Sequence, residues 1–273
     1  MSKHRLDTHG RLYYTFFDSL YEPCTFPTNM KFSTSTQPVF GSIAASANLR
    51  EGFANDLYSF MVEYGFDGVD IDWEYPGAGD RGGKDVDVIN YPLLLQAIRS
   101  KFKDENKDFE ISFTAPSSYW YLQWFDLPGL LQSADYINLM TYDLHGVWDQ
   151  YDPFGSHIYA HTNLTEIEDS LSLLWRNNVN PQKVNLGLAF YGRTFELEDP
   201  SCFKPGCTFS GAGAAGGDTD TAGILSYSDI QALLSGNDGS VFTTYDPDAG
   251  VNYMVYNEGT SCTYPQTLDL FQT

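Results

Sequence analysis

The stretch FDGVDIDWEYPG, residues 66–77, places four acids, Asp67, Asp70, Asp72 and Glu74, within a few positions of one another. Asp70, Asp72 and Glu74 alternate with Val69, Ile71 and Trp73. Successive side chains of a strand face opposite ways, so the three acids share one face and the apolar three the other. Neighbouring acids on that face are about 6–7 Å apart, too close for all to ionise cheaply in a poorly solvated space. The column is therefore expected to hold at least one proton. Glu74, the last of the three, suits a general acid, with its neighbours setting when it loses and regains a proton. A calcium loop would need Gly at its sixth position and polar residues between ligands, whereas Ile71 and Trp73 intervene and Pro76 follows. A solvated edge strand conflicts with the helices on either side.

Those flanking elements must position the column. SANLREGFANDLYSFMVEYG repeats apolar residues at Leu49, Phe53, Leu57, Phe60, Met61 and Tyr64, helical spacing that stops at Gly65. The acid strand runs from Gly68 to Trp73. A Gly-rich acidic loop follows, then a second helix, YPLLLQAIRSKF, with Pro92 in its first turn. The pattern repeats through strand FEISFTA (109–115), a helical stretch around FDLPGLLQSA, strand DYINLMTYD (135–143), helix LTEIEDSLSLLWRNN (164–178) and strand KVNLGLAFYG (183–192). Strands separated by helices pair in parallel with both faces covered. The expected class is α/β, a (β/α)8 TIM barrel with an open doubly wound sheet as the second choice, and active sites of the barrel lie at the C-terminal ends of its strands. After Gly192 the chain turns loop-rich and then alternates like antiparallel strands, VFTTYDPDAGVNYMVYNEG. The expected division is an unassigned segment 1–37, a partial barrel core 38–192, a small α+β insertion 193–260 after the Tyr-Gly-Arg strand, and a tail 261–273.

Composition narrows the function. The chain carries 15 Lys and Arg against 36 Asp and Glu, a formal charge of −21, with no Lys or Arg after Lys204. Phosphate binding needs a basic patch, so a nucleic-acid partner is not expected. Nor is a membrane span, since no window approaches about 18 consecutive apolar residues. The 19 Tyr, 19 Phe and 5 Trp suit flat polar ligands such as sugars, which stack on rings. Cys24, Cys202, Cys207 and Cys262 form neither a paired CxxC zinc pattern nor a nucleophile signature. Cys202 and Cys207 bracket CFKPGC closely enough for a small disulfide if the protein is exported. The N-terminus has basic residues without the apolar run of a signal peptide, and Asn163-Leu164-Thr165 is a glycosylation sequon.

DGVDIDWE has the form DxxDxDxE and resembles the catalytic strand of glycoside hydrolase family 18, the chitinases. NLMTYDLHGVWD (138–149) is similar to that family's Met-x-Tyr-Asp strand and GLAFYGRTF (187–195) to its Tyr-Gly-Arg strand. SYWYLQWFD and AHTNLTEI read like the fungal class V subgroup related to killer-toxin α subunits. The resemblance runs from about Pro38 to about Gly259. It implies an endo-type chitinase that hydrolyses β-1,4 N-acetylglucosamine linkages with retention, the substrate's own acetamido group acting as nucleophile. Glu74 would protonate the glycosidic oxygen, Asp72 would orient the N-acetyl group and stabilise the positive charge on it, and Asp70 would share a proton with Asp72. Tyr142 would hydrogen-bond the acetamido carbonyl region and Asp143 would contact the same sugar. Met140, Tyr191, Arg193, Tyr75 and Trp148 would line the adjacent subsites. No metal or cofactor is implied, the partner is chitin or chito-oligosaccharides, and the location is extracellular. The alternatives are a chitin-binding lectin that has lost the chemistry and an endo-N-acetylglucosaminidase acting on N-glycans. The family's Ser-x-Gly-Gly strand has no match in residues 1–45 and its closing Trp strand none before Thr273, so an incomplete barrel is expected.

Overall fold

A computed structural model of the chain describes residues 3–6, 12–17, 37–236, 241–256 and 261–265. The chain divides into two compact units, residues 1–140 with 172–186, and residues 141–171 with 187–273. No helix among the described residues is long and apolar enough to cross a membrane.

The first unit holds β1 (Lys3–Leu6), β2 (Leu12–Phe17), α1 (Gln37–Ala45), α2 (Ala47–Tyr64), β3 (Gly68–Asp72), α3 (Asp87–Asp104), β4 (Glu110–Pro116), α4 (Tyr119–Leu122), α5 (Leu127–Leu130), β5 (Tyr136–Met140), the last turn of α6 (Leu164–Arg176) and β6 (Val184–Leu186). The strands form one sheet in the order β1-β2-β3-β4-β5-β6. β1 pairs antiparallel with β2, and every later pair is parallel. Among the described residues no ladder joins β6 to β1. Residues 12–17 carry no Ser-x-Gly-Gly pattern, yet they form a strand beside the acid strand, with Thr15 opposite Asp70.

α2 forms where its local signals put it. Ser46 caps α2 by accepting from the Leu49 amide at 3.4 Å, and Gly65 ends it at φ +71°, a left-handed turn that costs a residue without Cβ nothing. α3 starts at Asp87, earlier than its apolar spacing suggests, so Pro92 lies inside the helix rather than in its first turn. Asp87 ties the preceding loop to that start: its carboxylate accepts from the Lys84 amide at 2.7 Å and the Gly77 amide at 3.3 Å. The helix tolerates the bond lost at Pro92 because Tyr91, Leu94, Leu95, Ile98 and Phe102 are all buried.

The stretch 183–192, expected as one strand, is two. Val184–Leu186 joins the parallel sheet as β6, and β7 (Tyr191–Leu197) belongs to the second unit. There the Gly187 carbonyl accepts from the Thr141 hydroxyl at 2.6 Å instead of a ladder amide. β7 takes different partners: β8 (Phe209–Ala212), β9 (Ile224–Ser226) and, beyond α7 (Tyr227–Ser235), β10 (Phe242–Asp246) and β11 (Val251–Tyr256), β12 (Ser261–Pro265). The main path of this antiparallel sheet is β10-β11-β12-β7-β8. Residues 261–265, read from sequence as the start of a tail, are thus an interior strand. Their Cys262 is fully buried among Phe195, Phe209, Tyr253 and Val255. Cys202 and Cys207 are joined in a disulfide.

Candidate active site

In the first unit the acid strand has two faces, as its alternation requires. Val69, Ile71 and Trp73 are at most 1 % exposed. The Trp73 ring stacks on Phe40 of α1 at 5.7 Å and meets Tyr91 of α3 edge-on at 5.1 Å. The Tyr91 hydroxyl donates to the Ile71 carbonyl at 3.1 Å, which ties α3 to β3.

The acids occupy the opposite face. Asp70 is buried and accepts three hydrogen bonds, from Ser112 Oγ at 2.6 Å, Asn138 Nδ2 at 2.8 Å and Thr114 Oγ1 at 3.0 Å. Asn138 in turn accepts from Asn185 Nδ2 at 3.2 Å. A polar ladder therefore crosses β3, β4, β5 and β6 at the level of Asp70, and it holds that carboxylate in one orientation. Asp72, one step further along, is buried, and Glu74 just beyond the strand end is half-buried. Ser112 and Thr114 alternate with Ile111, Phe113 and Ala115, and Asn138 stands between Ile137 and Leu139. The period-two rule that marks the acids marks these residues as well, although no family motif singles them out.

The Glu74–Tyr75 peptide is cis. The Tyr75 ring stacks on Tyr121 at 4.2 Å, and the Arg81 guanidinium lies 5.7 Å from one ring centroid and 5.6 Å from the other. Burial, and then the neighbouring Glu74, push the Tyr75 phenol well above its ordinary value. Tyr121 donates to Asp80 at 2.9 Å, which fixes the loop beyond Glu74. Gly77 in that loop has φ +69°, and a Cβ there would lie 2.7 Å from the Trp124 indole. Met140 ends β5, its carbonyl accepting from the Ser117 hydroxyl.

The second unit brings together Tyr142, Asp143, Trp148, Tyr191 and Arg193. Asp143 has φ +58°. Its carboxylate accepts from the Tyr191 hydroxyl at 2.6 Å and from Arg193 at 2.8 Å and 2.7 Å, a two-point contact that matches the guanidinium fork. The Asp143 amide donates to Nδ1 of His161, which is fully buried. Burial would raise the Asp143 carboxyl, but the Arg193 guanidinium and the Tyr191 hydroxyl hold it well below the usual carboxylate range. Burial pushes His161 down, leaving a neutral ring able to accept that amide. Burial and Asp143 push the Tyr191 phenol far up. The Arg193 guanidinium lies 4.8 Å from the Trp148 ring, and Tyr142 meets Tyr191 edge-on at 6.5 Å. His161 is not legible in the sequence because a single histidine in AHTNLTEI carries no local sign of its partner. Among the described residues no group of three or more His, Cys, Asp and Glu side chains is placed to hold a metal ion.

Against known proteins, the family model described as Glycosyl hydrolases family 18 matches residues 30–271. The secreted chitinase LysM12 of Penicillium expansum is 38% identical over 245 residues, covering 83% of this chain and 16% of that protein. The killer toxin subunits alpha/beta of Kluyveromyces lactis are 35% identical over 236 residues, covering 81% of this chain and 20% of that protein. The chain thus spans a fifth or less of the length of these two relatives. Among solved structures, the Group IV chitinase of Ostrinia furnacalis in complex with allosamidin is similar with a TM-score of 0.72 at 27% identity, covering 84% of this chain and 62% of that one.

Proposed function

The chain belongs to the glycosyl hydrolases of family 18 and has their α/β TIM-barrel class of fold, and on that footing we propose that it is an endo-acting chitinase. Glu74 gives its proton to the glycosidic oxygen as the bond to C1 breaks. The carbonyl oxygen of the substrate's own acetamido group closes on C1, and Asp72 orients that group and balances its positive charge. Water then attacks C1 from the vacated side and breaks its bond to the acetamido oxygen, Glu74 takes a proton from that water, and the anomeric configuration is retained. Asp70 shares a proton with Asp72. Tyr142 bonds the acetamido carbonyl and Asp143 the same sugar, while Met140, Tyr75, Trp148, Tyr191 and Arg193 line neighbouring subsites. Secretion is the proposed location, in keeping with the name of the secreted chitinase of Penicillium expansum.

One observation supports this reading: Asp70 and Asp72 lie on the polar face of a parallel strand, Asp70 anchored by three donors, and Glu74 follows just past the strand's C-terminal end. The test is turnover of a chromogenic chito-oligosaccharide. Wild type should release product, and Glu74→Gln should lower kcat by about 10²–10⁴-fold while leaving sugar binding intact. Binding without any product by mass spectrometry would indicate a lectin, and cleavage of an N-glycan core in preference to chitin an endo-N-acetylglucosaminidase. Either result rejects the chitinase assignment.

A further inference from the structure

Between Asp143 and Trp148 stands His145, only 1 % exposed. Its Nδ1 lies 2.7 Å from Asp149 Oδ2 and its Nε2 2.9 Å from Glu166 Oε1. A neutral imidazole donates at one nitrogen only, so both contacts are satisfied together by the imidazolium. Burial works against that cation, but hydrogen bonds to Asp149 and Glu166 outweigh it and raise His145 to about 9. Burial also pushes Asp149 up, with the imidazolium pulling against it and Asp152 adding to the rise. Glu166 is itself held by Asn163 Nδ2 at 3.1 Å, so the asparagine of the sequon belongs to the same chain of contacts. Rings also stand against it: Tyr159 at 5.0 Å and Phe154 at 5.1 Å, with His157 beyond Tyr159 at 6.3 Å.

The two bonds constrain different things. The one to Asp149, four residues on, closes the backbone into a loop across Gly146, Val147 and Trp148. The one to Glu166 ties that loop to the first turn of α6. Inside the loop Gly146 runs extended, and a Cβ there would lie 2.3 Å from the Trp148 ring, so the indole is folded back over a glycine that alone has room for it. The same ring receives Arg193, and Arg193 holds Asp143.

Resting on the reading of Asp143 and Trp148 as sugar contacts, we propose that His145 is a positioning residue, a buried cation clamped between Asp149 and Glu166 that fixes the Asp143–Trp148 segment for sugar binding. Because the folded value of His145 is raised, the clamp contributes fully below the ordinary 6.5, weakens as pH climbs, and is gone above about 9.

The experiment compares the full chain with His145→Gln and Glu166→Gln, taking KM and kcat on a chito-oligosaccharide from about pH 6 to about pH 10, and amide hydrogen exchange across residues 144–152. At neutral pH both variants should raise KM roughly tenfold with kcat changed less than about threefold. The wild-type rise in KM near pH 9 should be absent from His145→Gln, and exchange across 144–152 should quicken in both variants while the rest of the chain is unchanged. Should His145→Gln fail to fold, Glu166→Gln, whose outer carboxylate is partly exposed, decides between the same outcomes. Wild-type KM, pH profile and exchange in a folded variant overturn the proposal. If wild type binds no chito-oligosaccharide, the functional reading fails on its own, and the exchange data still decide: unchanged protection across 144–152 overturns the clamp, and lost protection upholds it as a loop anchor.

Discussion

Asp143 combines a left-handed backbone with a carboxylate that takes Tyr191 and both arms of the Arg193 fork. Removing it takes the paired carboxylate from a guanidinium whose side chain is only 12% exposed. Asp143→Ala should therefore cost about 3 kcal/mol, the low end for breaking a buried pair, since the Asp143 side chain keeps some contact with water; urea denaturation measures it. The carboxyl is held below its ordinary 3.8, so its contribution is complete above that value and is lost as pH falls below it. Wild type should accordingly lose stability below about pH 4 more steeply than Asp143→Ala. Parallel acid limbs in the two proteins would refute the ion-pair account.

At the scale of elements, β3 is fastened from its apolar face, and this lets its polar face carry acids. Trp73 wedges between Phe40 and Tyr91, and the Tyr91 hydroxyl reaches the β3 backbone. Trp73→Ala should destabilise the fold by about 3–5 kcal/mol through the cavity it leaves, and a denaturation midpoint close to wild type would show that α1 and α3 do not brace the strand. The neighbouring polar ladder does the complementary work, since Ser112, Thr114 and Asn138 reach Asp70 only if β3, β4 and β5 keep their register. A slip of one residue would turn those donors to the opposite face.

Over the whole molecule, a formal charge of −21 on 273 residues opposes compaction by self-repulsion. The positive charges sit before residue 205, so the antiparallel unit balances its later acids with almost nothing of its own. Raising ionic strength from roughly 0.01 M to about 0.15 M shortens the screening length from about 30 Å to about 8 Å. The thermal midpoint should rise over that range, and a fall would mean that attractive pairs such as Arg193 with Asp143 dominate the electrostatics.

What the sequence determined by itself is what depends on near neighbours. The alternation in GVDID, the helix stop at Gly65 and the β/α rhythm through residue 186 are set by signals a few residues long, and each reappears in the structure. The family motifs are equally local, which is why Asp70, Asp72, Glu74, Tyr142 and Asp143 could be singled out as candidates. Contacts between distant residues were decided only by the tertiary structure. Which donors meet Asp70, that 183–192 divides between two sheets, that 261–265 is an interior strand, and that His161 and Arg193 converge on Asp143 all depend on strand register and on partners tens of positions apart in the chain. A side chain's type and spacing can state that it needs a partner, but which partner it finds is fixed by pairings that no short window of sequence contains.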